Sequence, residues 1–443
     1  MWRHVTATCL GLLLVAMLHG LWQWQTHQAM QAALAPLEAR GVPTTVKAMN
    51  EQWLANDLAD ADNRAIPLLN AAAMAAGATE SWRNSPDEMP DGASDHTPFW
   101  PAYEKLQRDA FADPANQRAI AEALKSLDRE GADWGNRYDE TNPIATGLPQ
   151  LNGQRQLANL LSDAAAFNHH EGRHDEVVPL LRTLLHQAEG NWRNPLVVSW
   201  LVGIGIEALQ HHALMQTIPT LRIDNGEQSA TREQVESLLA DLVDETNARK
   251  YAERAFLSEV AVMPDAIDSE FPRTRPTSRA VVRAFAAPDM TRYRQAAERI
   301  ANQIAPPPPV AETKPDDDRS YAASIVESTN WWSGMTERFE TSYRRIQFGR
   351  RAAAVAVAAR LYRLDHNNAW PQSLNELVPA YLPVVPVDPY ASDAAAVGYL
   401  VLRWPDGSPR PVVFSVGDDG NADVTATWQA GEMPDVWPNG EPR

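Results

Sequence analysis

Three consecutive stretches with apolar residues at helical spacing constrain the fold of this chain more than any other feature. In the first stretch, Gln154–His169, apolar side chains recur about every 3.6 residues, and Val177–Ala188 repeats this pattern. The third stretch, Pro195–Leu221, is apolar around more of its circumference and predicts a helix buried in a core. Helices that follow one another at such short intervals predict a mainly α-helical body.

Between the first two stretches, the segment 170–174 has the sequence H-E-G-R-H, which matches the H-E-x-x-H signature of zinc peptidases. In those enzymes both histidines lie on one helix and bind one zinc ion, and the glutamate activates the bound water. Here the glycine falls where the first pattern ends, and Asp175 suits the N-cap of the next helix. The sequence favours a turn that separates His170 from His174. A zinc site with Glu171 as general base is the alternative.

The two helices joined by this turn resemble a single hairpin of the tetratricopeptide type, although no tandem array follows. The chain contains no P-loop, no G-x-S-x-G and no complete G-x-G-x-x-G motif. Its formal net charge of −18 disfavours nucleic-acid binding, because an acidic surface repels phosphates. The single cysteine, Cys9, leaves no disulfide or thiol nucleophile for the rest of the chain. We expect no nucleic-acid partner, and a non-enzymatic role is favoured.

The N-terminal apolar run, Val5–Trp22, predicts the cellular location of the protein. At 18 residues it lies between the core of a signal peptide and a full membrane span. Arg3 precedes the run, and Trp22 and Trp24 are placed as an interfacial aromatic belt would be. No small-x-small cleavage site follows, so an uncleaved signal anchor is expected, with a cleaved signal peptide as the alternative. This predicts a single-pass protein of the bacterial inner membrane whose bulk is periplasmic or extracytoplasmic.

Breaks in the helical pattern divide the chain into four parts. These are an anchor and stalk helix at 1–36, a helical body at 37–305, a Pro/Asp-rich linker at 306–320, and a C-terminal part at 321–443. Within the last part, closely spaced prolines after Asp365 forbid long helices. Gly398–Trp404 and Pro411–Val416 are predicted to be antiparallel strands, because a P-D-G-S-P turn sequence separates them.

The C-terminal part carries short motifs in a familiar order. They are Leu361-Tyr362, Asp365 and Pro371 at the end of a helix, Pro386, Asp388 and Pro389 in a P-x-D-P turn, and Ser415, Gly417, Asp419 and Gly420 in S-x-G-x-D-G. With these motifs, residues 341–425 resemble the soluble module of type II secretion major pseudopilins. The resemblance implies a small α/β module rather than a pilus subunit, since no prepilin-peptidase site is present. The whole chain resembles exported bacterial proteins that join a helical body to such a module, and no activity follows from that resemblance.

The pseudopilin resemblance also implies a metal site, because the S-x-G-x-D-G loop of that family can hold calcium. In this chain Asp418, Asp419, Asn421 and Asp423 place oxygen ligands close together, as a hard cation requires. An ordinary acidic turn stabilised by Asx hydrogen bonds is the alternative.

These features predict a mainly α fold with an N-terminal membrane-anchor helix, a multi-helix body and a small C-terminal α/β module with antiparallel strands. The expected function is that of a membrane-tethered extracytoplasmic interaction or scaffold protein, accessory to an envelope or secretion assembly. Its expected partners are the inner membrane, through Val5–Trp22, and an unidentified protein of the cell envelope. The alternative function is that of an exported hydrolase, a zinc metallopeptidase that uses His170, Glu171 and His174.

Overall fold

The computed structural model describes residues 2–54, 58–75, 104–143, 146–270, 276–302, 321–391, 394–403 and 409–416. Helices account for most of these ranges. They are α1 (Trp2–Glu38), α2 (Val46–Gln52), α3 (Ala65–Ala75), α4 (Glu104–Ala112), α5 (Pro114–Leu124), α6 (Gln150–His170), α7 (His174–Trp192), α8 (Val197–Thr217), α9 (Arg232–Val243), α10 (Thr246–Glu270), α11 (Pro276–Asn302) and α12 (Tyr321–Asp365). The prediction that the protein is mainly α-helical is confirmed.

The three helices predicted from the apolar periodicity, α6, α7 and α8, pack against one another at the centre of the fold. Their inward side chains are fully buried, among them Leu157, Leu161, Leu184, Leu185 and Trp200. These side chains belong to one continuous hydrophobic core, which also includes buried residues of α1 and of β2. A helix that packs on such a core needs apolar side chains on one face only, and these recur every 3.6 residues along the sequence. The sequence pattern therefore predicted the positions of these helices.

A small antiparallel sheet lies near the C-terminal end of the described chain. Its strands are β1 (Gly398–Arg403) and β2 (Pro409–Phe414), with Gly398 opposite Phe414 and Arg403 opposite Pro409. A Cβ atom at Gly398 would lie 2.3 Å from the Phe414 ring, so a larger residue at this position would force the ring to move. The predicted antiparallel pairing of the two strands is confirmed, and the preceding helix ends at Asp365 as the sequence indicates.

The N-terminal helix differs from its prediction. Within the described residues no helix combines the length and the apolar character needed to cross a membrane. The fold class with a membrane-anchor helix, and the location as a single-pass inner-membrane protein tethered by Val5–Trp22, are therefore wrong. α1 runs on from this segment to Glu38, and it is the later part of the helix that is buried in the protein core, at Met30, Leu34 and Leu37. That part packs against α11.

A buried ionic network holds the centre of the helical body together. The Arg350 guanidinium on α12 donates from Nε to Glu207 Oε1 at 2.8 Å, from Nη2 to Glu189 Oε1 at 3.3 Å, and from Nη1 to the Asp244 carbonyl at 2.8 Å. Arg350 is 1% exposed and Glu207 is 0% exposed. Burial alone would raise the pKa of Glu207, but Arg350 and His211 more than offset this effect and hold it below its usual value. Four helical segments are thus linked through one side chain.

Replacing Arg350 by alanine should lower the free energy of unfolding by about 3–5 kcal/mol, because Glu207 would remain buried without its partner. Urea denaturation followed by circular dichroism measures the change. Arg345→Ala is the matched control, since Arg345 lies on the same helix but is exposed, and its effect should stay within about 0.5 kcal/mol. Equal losses in the two variants would show that the network does not stabilise the fold.

Candidate functional site

A cavity among the described residues has a volume of about 640 Å³. We call it the corner cleft. It lies between the corner that joins α9 to α10, the C-terminal end of α11, the middle of α12, and residues 382–391 with Ala394. Its size falls within the range of ~300–1,000 Å³ that is typical of ligand sites in proteins.

Two consecutive arginines on α12 set the position of the cleft walls. Successive residues of a helix point about 100° apart, so Arg350 enters the buried network while Arg351 faces the cleft. Arg351 donates to both carboxylate oxygens of Glu245, at 2.6 and 2.7 Å, and to the Val387 carbonyl at 2.7 Å. Arg350 therefore binds the α9–α10 corner from the protein core. Arg351 connects the same corner to the opposite wall of the cleft.

The opposite wall is an irregular segment shaped by Asp388. The Asp388 carboxylate accepts hydrogen bonds from the Tyr390 backbone at 2.9 Å, from the Ser415 hydroxyl at 2.9 Å and from the Val416 backbone at 2.8 Å. Only 2% of Asp388 is exposed. The P-x-D-P motif noted in the sequence is thus a structural clamp that ties this wall to the end of β2.

The remaining cations of the cleft occupy the helical wall. Arg299 pairs with Glu340 at 2.8 Å, and the Arg344 guanidinium lies 5.1 Å from the centre of the Tyr390 ring. For the Arg249 side chain, no hydrogen bond or ion pair is shown among the residues that the structure describes. Hydrogen bonds from Thr246, followed by the charges of Arg350 and Arg249, hold the pKa of Asp244 below its usual value.

Tyr343 adds an unusual polar group to the same wall. It is 5% exposed, and its hydroxyl finds no hydrogen-bond partner within the described part of the chain. Burial, followed by the charge of Glu245, raises the pKa of Tyr343, so the hydroxyl remains protonated. A buried hydroxyl without a partner costs about 1–3 kcal/mol of stability.

The carboxylates of the cleft serve the structure of the protein itself. Glu245 is held by Arg351, Glu340 by Arg299, and Asp388 by three donors of its own wall. Asp244 also lines the cleft, and its carboxylate accepts a hydrogen bond from the Thr246 backbone at 3.0 Å. The cleft consequently offers arginine donors to a ligand, beside an apolar edge where Val384 is 66% exposed. This chemistry suits the binding of a segment that carries both carboxylate and apolar groups.

The H-E-G-R-H segment lies elsewhere, at the turn between α6 and α7. α6 ends at His170 and α7 begins at His174, so the two histidines belong to different helices. Gly172 adopts a φ of 79°, a left-handed conformation that favours glycine. The N-cap of α7 is Arg173 rather than the expected Asp175, which lies in the first turn.

The side chains at this turn have partners of their own. Glu171 accepts a hydrogen bond from Arg108 at 2.7 Å, and this bond holds the pKa of Glu171 below its usual value. The rings of His169 and His174 meet edge to face with their centres 4.9 Å apart. Throughout the described ranges, no group of three or more His, Cys, Asp and Glu side chains is arranged to hold a metal ion.

We expect the purified protein to bind no stoichiometric zinc, because His170 and His174 lie on separate helices and Glu171 is engaged by Arg108. Metal analysis after dialysis against zinc tests this. One zinc per chain that disappears in a His170→Ala variant would establish the alternative metal site.

The pH dependence of stability should reveal the half-buried ring of His169. Burial, followed by the charges of His174 and His170, lowers the pKa of His169 to about 4. The unfolded chain has a histidine pKa of about 6.5 and so takes up the proton more readily between these values. The stability that His169 contributes is present above about pH 6.5 and is lost as the pH falls toward about 4. His169→Gln should therefore flatten the fall of the urea midpoint between pH 7 and 5. His27→Gln, at an exposed histidine, should leave the slope unchanged, and an unchanged slope in both variants would contradict the assignment.

Sequence reasoning did not find the corner cleft. Arg249, Arg299 and the pair Tyr343 and Arg351 come from three different helices, and the only local signal was the Arg350-Arg351 pair that begins an Ala-rich run. The predicted calcium ligands, Asp418, Asp419, Asn421 and Asp423, lie outside the residues that the structure describes, so that site stays a prediction.

No family model, curated protein or solved structure matches the chain. The resemblance of residues 341–425 to pseudopilins therefore remains a prediction from their motifs.

Proposed function

We propose that this chain is a non-enzymatic interaction protein whose corner cleft binds an extended segment of a partner protein. The proposal rests on a difference between the negatively and positively charged side chains of the cleft. Its carboxylates are bonded within the protein, whereas the Arg249 side chain lines the cleft and makes no hydrogen bond or ion pair that is shown within the described residues. A partner with an acidic side chain or a free carboxylate would pair with this guanidinium.

The shape of the cleft favours a protein segment over a compact metabolite. One wall is the ordered stretch Leu382–Val387, whose exposed Val384 and Val387 form an apolar edge beside the arginines. A partner segment that places an apolar side chain on this edge and a carboxylate near Arg249 would use both kinds of contact. Such pairing of apolar anchors with charge complementarity is common where one protein binds a short part of another.

The proposal is about binding and not about chemistry. Three carboxylates that could serve as a general base in the cleft, Glu245, Glu340 and Asp388, already accept charged or multiple hydrogen bonds. The fourth, Asp244, accepts a hydrogen bond from the Thr246 backbone. A general base must reach a substrate proton directly, and a carboxylate that also holds two walls together is poorly placed to do so. These contacts support a scaffold role over a hydrolase role.

A photo-crosslinking amino acid at Val384, introduced in the full chain in its native host, tests the proposal. We expect a discrete adduct with a protein partner, and we expect Arg249→Glu to weaken it about tenfold, which corresponds to about 1.4 kcal/mol of binding free energy. Arg345→Glu is the matched charge reversal outside the cleft and should leave the adduct intact.

The same crosslinker at Val198 is the positional control, because this valine is 56% exposed on α8 and does not line the cleft. Identical adducts from Val384 and Val198 would show adventitious contact. A Val384 adduct that is insensitive to Arg249→Glu would also refute the role of the cleft cations.

A further inference from the structure

Residues 417–443 begin at one wall of the corner cleft. The Asp388 carboxylate, which lines this wall, accepts hydrogen bonds from the Ser415 hydroxyl at 2.9 Å and from the Val416 backbone at 2.8 Å. Val416 is the last residue that the structure describes. The segment that follows Val416 therefore starts beside the cleft, at the wall that also carries the exposed Val384.

The sequence of this segment complements the chemistry of the cleft. Residues 417–443 contain six acidic side chains and two tryptophans, whereas Arg443 is their single basic residue. The cleft offers the Arg249 guanidinium, which makes no hydrogen bond or ion pair that is shown within the described residues, and the apolar edge at Val384. An acidic and partly apolar segment thus starts next to a site that suits such a segment.

Within the segment, residues 432–437 carry both kinds of group at close spacing. Their sequence is E-M-P-D-V-W. Pro434 favours an extended backbone at Met433, the residue before it. In an extended chain every second side chain points to the same side, so Met433, Asp435 and Trp437 would share one face with about 7 Å between neighbours. That face presents one carboxylate between two large apolar side chains.

The acidic stretch 418–423 fits the cleft less well. It carries three carboxylates, but its other residues are glycine, asparagine and alanine. None of these side chains is large enough to cover the edge of the cleft, where Val384 is 66% exposed and Val387 is 40% exposed. Removing that apolar surface from water is favourable, so residues 432–437 are the better occupant.

One acidic side chain already lies near Arg249. The charge of Arg249 contributes, after the hydrogen bonds from Thr246, to the low pKa of Asp244. The Thr246 backbone donates to Asp244 at 3.0 Å, whereas no hydrogen bond from Arg249 to Asp244 is shown within the described part of the chain. A guanidinium has five N–H donors, so Arg249 can bind a carboxylate of the segment while Asp244 keeps its bond to Thr246.

We propose that residues 432–437 occupy the corner cleft of their own chain when no partner is bound. Asp435 pairs with the Arg249 guanidinium, and Met433 or Trp437 covers the apolar edge. This contact rests on the proposed function, because it takes the cleft to be a site for an extended segment with carboxylate and apolar groups. It adds a regulation of that site, since a partner must displace the chain's own segment before it binds.

The length of the connecting chain permits this contact. Residues 417–431 link Val416 to Glu432, and a chain of this length spans at most about 50 Å when extended. Such a tether gives the segment an effective concentration on the order of 1 mM at the cleft. With an intrinsic dissociation constant on the order of 0.1 mM, the cleft would be open in about one chain in ten, and a partner would bind about tenfold more weakly than to an open cleft.

Photo-crosslinking in the purified full chain tests the contact directly. With the crosslinking amino acid at Val384, mass spectrometry should locate the adduct in residues 432–437 of the same chain. Arg249→Glu and Asp435→Lys should each lower its yield at least fivefold, because each change brings two like charges together. The double variant should restore the yield, since the ion pair forms again with its charges exchanged. Asp423→Lys, an equal charge reversal elsewhere in the segment, should leave the yield unchanged.

A peptide added to the full chain measures the regulation. The probe is a fluorescent peptide with the sequence of residues 428–441, and its binding is followed by fluorescence anisotropy. It should bind the Asp435→Lys chain about tenfold more tightly than the unaltered chain, whose cleft is already occupied. Adding Arg249→Glu to Asp435→Lys should remove this binding, and adding Arg345→Glu instead should not.

Three results would overturn the intramolecular contact. The first is a Val384 adduct that does not map to residues 432–437. The second is an adduct that joins a heavy-isotope-labelled chain to an unlabelled one in an equimolar mixture, which would show contact between copies. The third is equal binding of the peptide to the unaltered and the Asp435→Lys chains.

The partner adduct in the native host separates this contact from the proposed function. If the contact within the chain fails but the host adduct from Val384 still depends on Arg249, the proposed function stands and the regulation alone falls. If the contact within the chain forms but Asp435→Lys yields no host adduct, the regulation stands and the proposed function falls. When both hold, Asp435→Lys should increase the yield of the host adduct.

Discussion

The ion pair between Arg350 and Glu207 is the interaction on which the rest of this structure depends. Both side chains are buried away from water. Removing each charge from water costs several kcal/mol, and this cost is offset only when the oppositely charged partner is in place. The same guanidinium also reaches Glu189 and the Asp244 carbonyl, and so brings α7, α8, α12 and the α9–α10 corner to one point. The position of α12 relative to the body follows from this contact, and with it the direction in which Arg351 projects.

The corner cleft is a consequence of that placement. With Arg350 held inside, Arg351 can reach both Glu245 and the chain near Val387. The P-x-D-P segment is stabilised independently by Asp388, so the two walls are rigid before any ligand arrives. A preorganised cleft loses little conformational entropy on binding, which is the physical reason for regarding it as a recognition surface.

The sequence predicted those parts of the fold that depend on local patterns. The helices α6 to α8, the glycine turn between α6 and α7, the end of α12 at Asp365 and the β1–β2 hairpin all follow from apolar spacing or turn chemistry. The cleft could not be predicted in this way. Arg350 and Glu207 are 143 positions apart, and no local pattern signals such a contact. The N-terminal prediction failed for a related reason: an apolar run does not reveal that the same helix continues into a protein core at Leu37.

The adjacent arginines of α12 make the structure sensitive to the phase of that helix. Insertion of a single residue ahead of them would rotate the pair by about 100°, so that Arg350 would take the direction of Arg351 toward the cleft and neither arginine would reach the buried acids. Insertion of four residues would restore the facing to within about 40°. Chains that share this architecture should therefore tolerate length changes before Arg350 only in steps close to whole helical turns, and in such chains the spacing would be more constrained than the identity of the intervening residues.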